Sequence, residues 1–421
     1  MPTNSPRLWT WQAFPRRSVS KMKTWLIEPR DPLIFRDGRP FSASPGARAK
    51  TLSFPLPASI TGAARTRAGL NANGHFDKSR ITALRKEHIR GPLLVELAEK
   101  GGVKRWLLPA PVDALILKHG TYKKEAGRLI PLTVVKTPAG AETNLRDGLT
   151  LVGAASPAEG KPHDKAPAFW YWERFASWLL NPTPDDDAEL ETIGIAGPTR
   201  ESRMHVSIAS DKQTAEDGAL FQTAGLEFTS VPTVPEGEPP PLADARRLAI
   251  ALQTNASVPS GLGFLGGERR IVQWTAADGD LPACPDEVRK RIKEQRHCRL
   301  ILLTPGLFVK GYLPTLDPQI VGGLKVTAVA AAVNRYQTVS GWDYEKDKPK
   351  PARRLTPAGS VYFLKFDGNP DDPAIDSFIK DVWMHNISDD PQDRLDGFGL
   401  AVLGVWDGAS KDMGANDESQ S

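Results

Sequence analysis

The chain has 421 residues, 40% hydrophobic and 25% charged, which excludes disordered and fibrous classes and leaves room for two or three domains with real cores. Its net charge is only +4, yet its ends oppose each other: residues 22–70 carry eight Lys and Arg against three Asp and Glu, whereas residues 366–421 carry three against thirteen. Cys284 and Cys298 lack CxxC spacing, so neither a disulfide framework nor a zinc site is indicated, and no apolar run approaches the roughly 20 residues that span a bilayer.

Residues 1–21 scatter Trp9, Trp11 and Phe14 among prolines and polar residues, without the continuous apolar region of a secretory signal. A reducing, cytoplasmic setting is the expectation. Met22 stands directly before the first convincing strand, residues 23–28, so translation starting there would leave residues 1–21 outside the fold. Next comes a basic stretch holding Arg36, Arg39, Arg48 and Lys50, with a turn at Asp37-Gly38. It runs into a helix over residues 57–70 that Pro57 opens and that carries Arg65 and Arg67. Cations at this density beside glycines suit phosphates better than a neutral metabolite. A charge run of this kind is also what a solvated face looks like. Two residues apart on a helix, Arg65 and Arg67 point to opposite sides, so the two cannot face one phosphate and one of them is expected to be structural.

Further along, residues 93–97 and 103–108 read as a hairpin extended by residues 112–117. Residues 169–180 are aromatic at helical spacing and read as core rather than as a base-stacking platform. After a linker or turn over residues 181–190, alternation on both sides of a polar tip at residues 211–218 predicts a long β-hairpin, with a further strand at residues 225–228. A proline-rich linker, residues 231–242, leads to alternating strands and helices up to residue 406: strands at 247–253 and 270–275, a helix at 285–295, strands at 299–303, 325–333 and 360–366, a helix at 375–384 and a strand at 400–406. Periodicity alone says α+β. Residues 407–421 read as an acidic disordered tail.

The block DPLIFRDGRPF followed by SFPLPASITGAARTR is similar to the opening of type III-B CRISPR Cmr-complex proteins of the RAMP superfamily. Further likeness lies in Gly261-Leu262-Gly263-Phe264-Leu265-Gly266-Gly267-Glu268-Arg269-Arg270, in the strand signature from Thr356 to Leu364, and in Asp396-Gly397-Phe398-Gly399-Leu400. The resemblance implies two ferredoxin-like (RRM-like) modules with insertions and a protruding β-hairpin, one over residues 22–230 and one over 243–406. It further implies a subunit that grips the 5′ tag of a guide RNA, pairs with a large polymerase-like subunit, and stacks on a backbone RAMP subunit. RNA-facing residues on this reading are Arg36, Arg39, Arg48, Lys50, Arg65 or Arg67, Arg203 on the hairpin, Arg269 and Arg270 behind their glycines, and the turn at Gly397 and Gly399. Insertions around residues 120–167 and 341–354 depart from the family pattern and have no assigned role.

Catalytic signatures are sparse. The sequence has no GxxxxGK[ST], HExxH or GxSxG, and no dinucleotide fingerprint in its strand-to-helix context. No metal, cofactor or membrane is expected. RAMP relatives include endonucleases that cut repeat RNA without metal by general acid–base chemistry, and His205 or His385 is the candidate group for that alternative, with no evident second partner in the sequence. The leading expectation is a non-catalytic RNA binder.

Overall fold

The computed structural model describes residues 22–35, 51–118, 126–209, 211–231, 239, 244–319, 321–340, 342–343, 348–349 and 351–413. Strand Lys23–Pro29 lies between Arg246–Thr254 and Arg270–Ala277, antiparallel to both. Its Trp25 and Ile27 are buried on one face of the sheet and Leu26 on the other, as the period of two demands of a strand covered on both sides. Ile89–Leu97 pairs with the far side of Arg246–Thr254, and the sheet continues through Val103–Pro109, Phe169–Tyr171 and Gly194–Ile195. Taken in chain order, four antiparallel strands (Lys23–Pro29, Ile89–Leu97, Arg246–Thr254, Arg270–Ala277) stand in the spatial order fourth, first, third, second.

The second sheet repeats that order. His297–Leu302, Val326–Ala332, Val361–Phe366 and Leu400–Val405 again stand fourth, first, third, second, every pair antiparallel. Helices Asp286–Gln295 and Asp372–Val382 pack beside it, burying Val288 and Ile292 from one and Ile375, Phe378, Ile379 and Val382 from the other. The fold is therefore mixed and strand-rich, with antiparallel sheets.

Most of the linker expected at residues 231–242 lies outside the described residues, and the strands after it do not all join the second sheet. Strands Arg246–Thr254 and Arg270–Ala277, assigned by sequence to the C-terminal unit, are the third and fourth strands of the N-terminal sheet. Periodicity identifies a strand but not its partner, and Arg246–Thr254 pairs with a strand more than 200 residues away. The expected extension of the early hairpin also departs from it. Ala114–Lys118 pairs with Ala126–Val135 in a separate small sheet.

Helix Pro57–Ala68 has Pro at its start and buries Pro57, Ile60, Thr61, Ala64 and Ala68, an i, i+3/i+4 stripe that leaves Arg65 and Arg67 to either side. The aromatic segment is core, as read. Trp170 and Trp178 meet edge to face at 5.6 Å, and Phe175 and Leu179 are fully buried. The long hairpin pairs Thr199–Ile208 with Ala215–Glu227, the expected separate strand at 225–228 being the end of the return strand. A two-stranded ribbon is marginal alone, and this one is tied at its base, where Leu33 and Leu226 exchange backbone hydrogen bonds of 2.9 and 2.7 Å.

One core cluster runs through both halves, and a buried ion pair sits inside it. Arg299, 2% exposed, donates to the Asp113 carboxylate and also to the carbonyls of Val405, Trp178 and Leu179, while Trp178 Nε1 donates to Asp113 at 2.9 Å. Removing one partner of such a pair leaves an uncompensated buried charge. Asp113→Ala is expected to lower unfolding free energy by about 3–5 kcal/mol in denaturant titration, and a loss below about 1 kcal/mol would show that the pair holds nothing together.

Candidate nucleic-acid interface

The basic stretch begins and ends at one point. Phe35 N–H donates to Thr51 Oγ1 at 3.1 Å, Thr51 Oγ1 donates to the Phe35 carbonyl at 3.2 Å, and Leu52 N–H reaches the same carbonyl at 2.8 Å. Residues 36–50, with Arg36, Arg39, Arg48 and Lys50, thus span a closed root, although they themselves lie outside the described residues. On one flank of that root Gly267 N–H donates to the Ile34 carbonyl at 2.7 Å. On the other, Leu33 pairs with Leu226 of the hairpin.

Glycine is required on both flanks. Gly266 has φ +77°, and a Cβ there would come within 2.6 Å of the Ile34 carbonyl; one on Gly225 would come within 2.8 Å of Pro32. The glycine run was expected to offer backbone N–H groups to phosphate. Gly267 instead spends its N–H on Ile34, so the run docks the loop root.

The cations beside the root differ in availability. Arg269 is exposed, with φ +52° and its guanidinium 4.5 Å from the Phe264 ring centroid. Arg270 donates to Glu268 at 2.7 Å, and Arg203 on the hairpin to Glu201 at 2.6 Å. That partner, first by hydrogen bond and then by charge, raises the Arg203 pKa, and Asp31 beside the root adds to the effect. Solvent screens the exposed Arg203 pair, so a phosphate can displace its carboxylate, whereas Arg270 is itself partly buried. The structure therefore brings together the loop root, Arg269, Arg270 and the hairpin bearing Arg203.

It does not bring Arg65, Arg67, Gly397 or Gly399 to that surface. Arg65 donates to Asp396 at 2.6 Å and to the carbonyls of Arg85, Glu87 and Leu395, tying the first helix to the C-terminal half. Arg67 donates to the carbonyls of Pro259, Ser260 and Leu262, and desolvation lowers its pKa. Both arginines hydrogen-bond within the fold, where the sequence expected that of one. Gly397 and Gly399 are buried, and a Cβ on Gly397 would come within 2.6 Å of the Gly91 carbonyl, so this turn is a contact between halves rather than an open RNA-facing loop.

The histidines were read as lacking partners. His385 in fact receives a hydrogen bond at Nε2 from Arg90 and donates from Nδ1 to the Trp383 carbonyl, with His88 close enough to feel its charge. Burial first, then the Arg90 charge, pushes both imidazoles from about 6.5 down to about 4. Neither ring is an imidazolium at neutral pH; each keeps only the single N–H of the neutral ring. His205 meets Thr223 at 2.8 Å. Among the described residues no group of three or more His, Cys, Asp or Glu could hold a metal, and no helix is long and apolar enough to cross a membrane.

Sequence reading missed a second cationic feature. The pair of strands Gln337–Val339 and Arg353–Leu355 carries Arg353 on Asp393 and Arg354 over the Tyr336 ring at 4.7 Å. No motif marks it.

Two outcomes follow for stability. Because the unfolded rings titrate near 6.5 and the folded ones near 4, the unfolded chain binds more protons in that window. The stabilisation from His88 and His385 is complete above pH 6.5 and lost as pH falls toward 4, by up to about 3 kcal/mol per ring. Replacing both rings by glutamine should flatten the fall of melting temperature across this range, and an equally steep fall would acquit them. Arg65→Ala should lower the melting temperature, because its bonds to Asp396 and to the Glu87 and Leu395 carbonyls are lost.

A family model for the CRISPR-associated protein (Cas_Cmr3) matches residues 25–406. No curated protein matches the chain. Among solved structures, a chain of the cryo-EM structure of the type III-B Cmr-beta bound to cognate target RNA and AMPPnP, state 1, is 15% identical, with TM-score 0.40, 81% of this chain and 86% of that one being covered. A chain of the crystal structure of the Csm3-Csm4 subcomplex in the type III-A CRISPR-Cas interference complex is 12% identical, with TM-score 0.30, 83% of this chain and 95% of that one being covered. The match over residues 25–406 takes in both sheets, the loop root and the hairpin, and the chain belongs to the CRISPR-associated Cas_Cmr3 family.

Proposed function

We propose that this chain is a non-catalytic RNA-binding subunit of a type III-B CRISPR effector complex, holding the 5′ tag of the guide RNA at one end of the assembly. It would sit beside the large polymerase-like subunit and stack on a backbone RAMP subunit. Family membership supports the setting. The observation that carries the RNA-binding role is the closure of the basic loop at Phe35 and Leu52, between a turn bearing Arg269 and Arg270 and a hairpin bearing Arg203. Arg269 and Arg270 on one side and the hairpin bearing Arg203 on the other flank the root of the basic stretch, as a single-stranded end gripped mainly through its phosphates requires.

The repeated strand order, fourth, first, third, second, supports two ferredoxin-like modules, with strands Arg246–Thr254 and Arg270–Ala277 completing the first. For His385, one of the two candidate histidines, a neutral ring at neutral pH speaks against service as an imidazolium general acid.

If about five single-strand phosphates are contacted, affinity should fall roughly a hundredfold between 50 and 200 mM salt. Arg36→Ala with Arg39→Ala should reduce the slope of log K against log salt by about 1.4. An unchanged slope and affinity would remove these residues from the site. Specific cleavage of repeat RNA in the presence of chelator, abolished by His385→Ala, would replace the binder with a nuclease.

A further inference from the structure

The insertion after strand Val326–Ala332 has the makings of a nucleobase site. Leu355 is fully buried in a cluster with Leu56, Leu307 and Phe398, against which Val339 and Leu52 also pack. Neighbouring residues on a strand point to opposite faces, so burying Leu355 turns Arg354 outward, where it is exposed. There its guanidinium lies 4.7 Å from the ring centroid of Tyr336, which is 48% exposed. Arg353 is held on the other face by both oxygens of Asp393, an ion pair that fixes the ribbon to the C-terminal half. Leu52, which touches this cluster, is the residue that closes the basic loop on Phe35.

We infer that Tyr336 and Arg354 form a stacking platform for one unpaired base of a bound single-stranded RNA, beside the cluster that Leu52 joins. The inference rests on the RNA-binding reading above. Three physical features carry it. A tyrosine and a guanidinium stacked in solvent gain only about 0.5–1 kcal/mol from each other, so the exposed ring face is available to a stronger stacking partner, while burial of Leu355 and the Arg353–Asp393 pair fix the strand that presents Arg354. Every base has a π-face that a tyrosine accepts, and a guanidinium can stack on that base while neutralising the phosphate next to it. The mounting joins the root of the basic loop through Leu52, so a strand gripped there passes within reach.

The test uses the full-length protein and a single-stranded RNA carrying 2-aminopurine at successive positions. Wild type should quench the probe at one position. Tyr336→Ala should abolish that quench and weaken binding about tenfold, equivalent to about 1.4 kcal/mol, with the salt slope unchanged because no phosphate contact is lost. Tyr336→Phe should keep both the quench and the affinity, and Arg354→Ala should lower the slope by about 0.7. Equal melting temperatures confirm that the variants fold. Wild-type binding with no position-specific quench, or with Tyr336→Ala indistinguishable from wild type, overturns the platform alone. Failure of wild type to bind RNA at all overturns the RNA-binding reading and the platform with it.

Discussion

The arrangement depends on a guanidinium buried where the two halves meet. Arg299 belongs to a central strand of the second sheet, Asp113 to the segment that follows the first hairpin, and Trp178 to the aromatic helix between them. Moving two charges out of water is costly, and the cost is met here because the guanidinium finds three carbonyls besides its carboxylate and the carboxylate takes an indole N–H as well. The same desolvation makes the geometry specific, since any slippage between the sheets would strand a charge. Arg65 on Asp396, Thr61 on the Asp396 carbonyl and Asn386 on the Ile89 carbonyl add further ties across the contact.

That rigidity gives the loop root a fixed address. The root of the basic stretch is set by backbone bonds to a glycine turn on one side and to a hairpin on the other, and neither neighbour can shift without breaking sheet pairing. What the scaffold supplies is position. The chemistry comes from cations whose own partners are weak and exposed, as with Arg203 and Arg270, or aromatic, as with Arg269.

Local signals carried much of this. Pro57 and the apolar spacing after it mark the first helix, the aromatic run at residues 169–180 is core, and alternation around a polar tip marks the hairpin. Each rests on contacts within a few residues of chain. What the sequence hides is partnership at long range. Arg65 reads as interchangeable with Arg67 until Asp396 is found beside it, His385 reads as solitary until His88 and Arg90 arrive, and Gly397 reads as an RNA-facing turn until Gly91 is seen to need the space. Tyr336 and Arg354 meet across an insertion that carries no motif, and only a buried Leu355 determines which way the arginine faces. Strand Arg246–Thr254 was visible as a strand, yet its place beside Lys23–Pro29 was not.

Arg67 has an effect beyond anchoring a helix. Gly261–Leu265 is the last strand of its sheet, and on such a border the main-chain acceptors are open to any passing extended peptide. By clasping the carbonyl of Leu262 in that strand and those of Pro259 and Ser260 just before it, one side chain occupies acceptors at the start of that border. An extended peptide arriving at this rim would have to displace the guanidinium before it could use the Leu262 carbonyl.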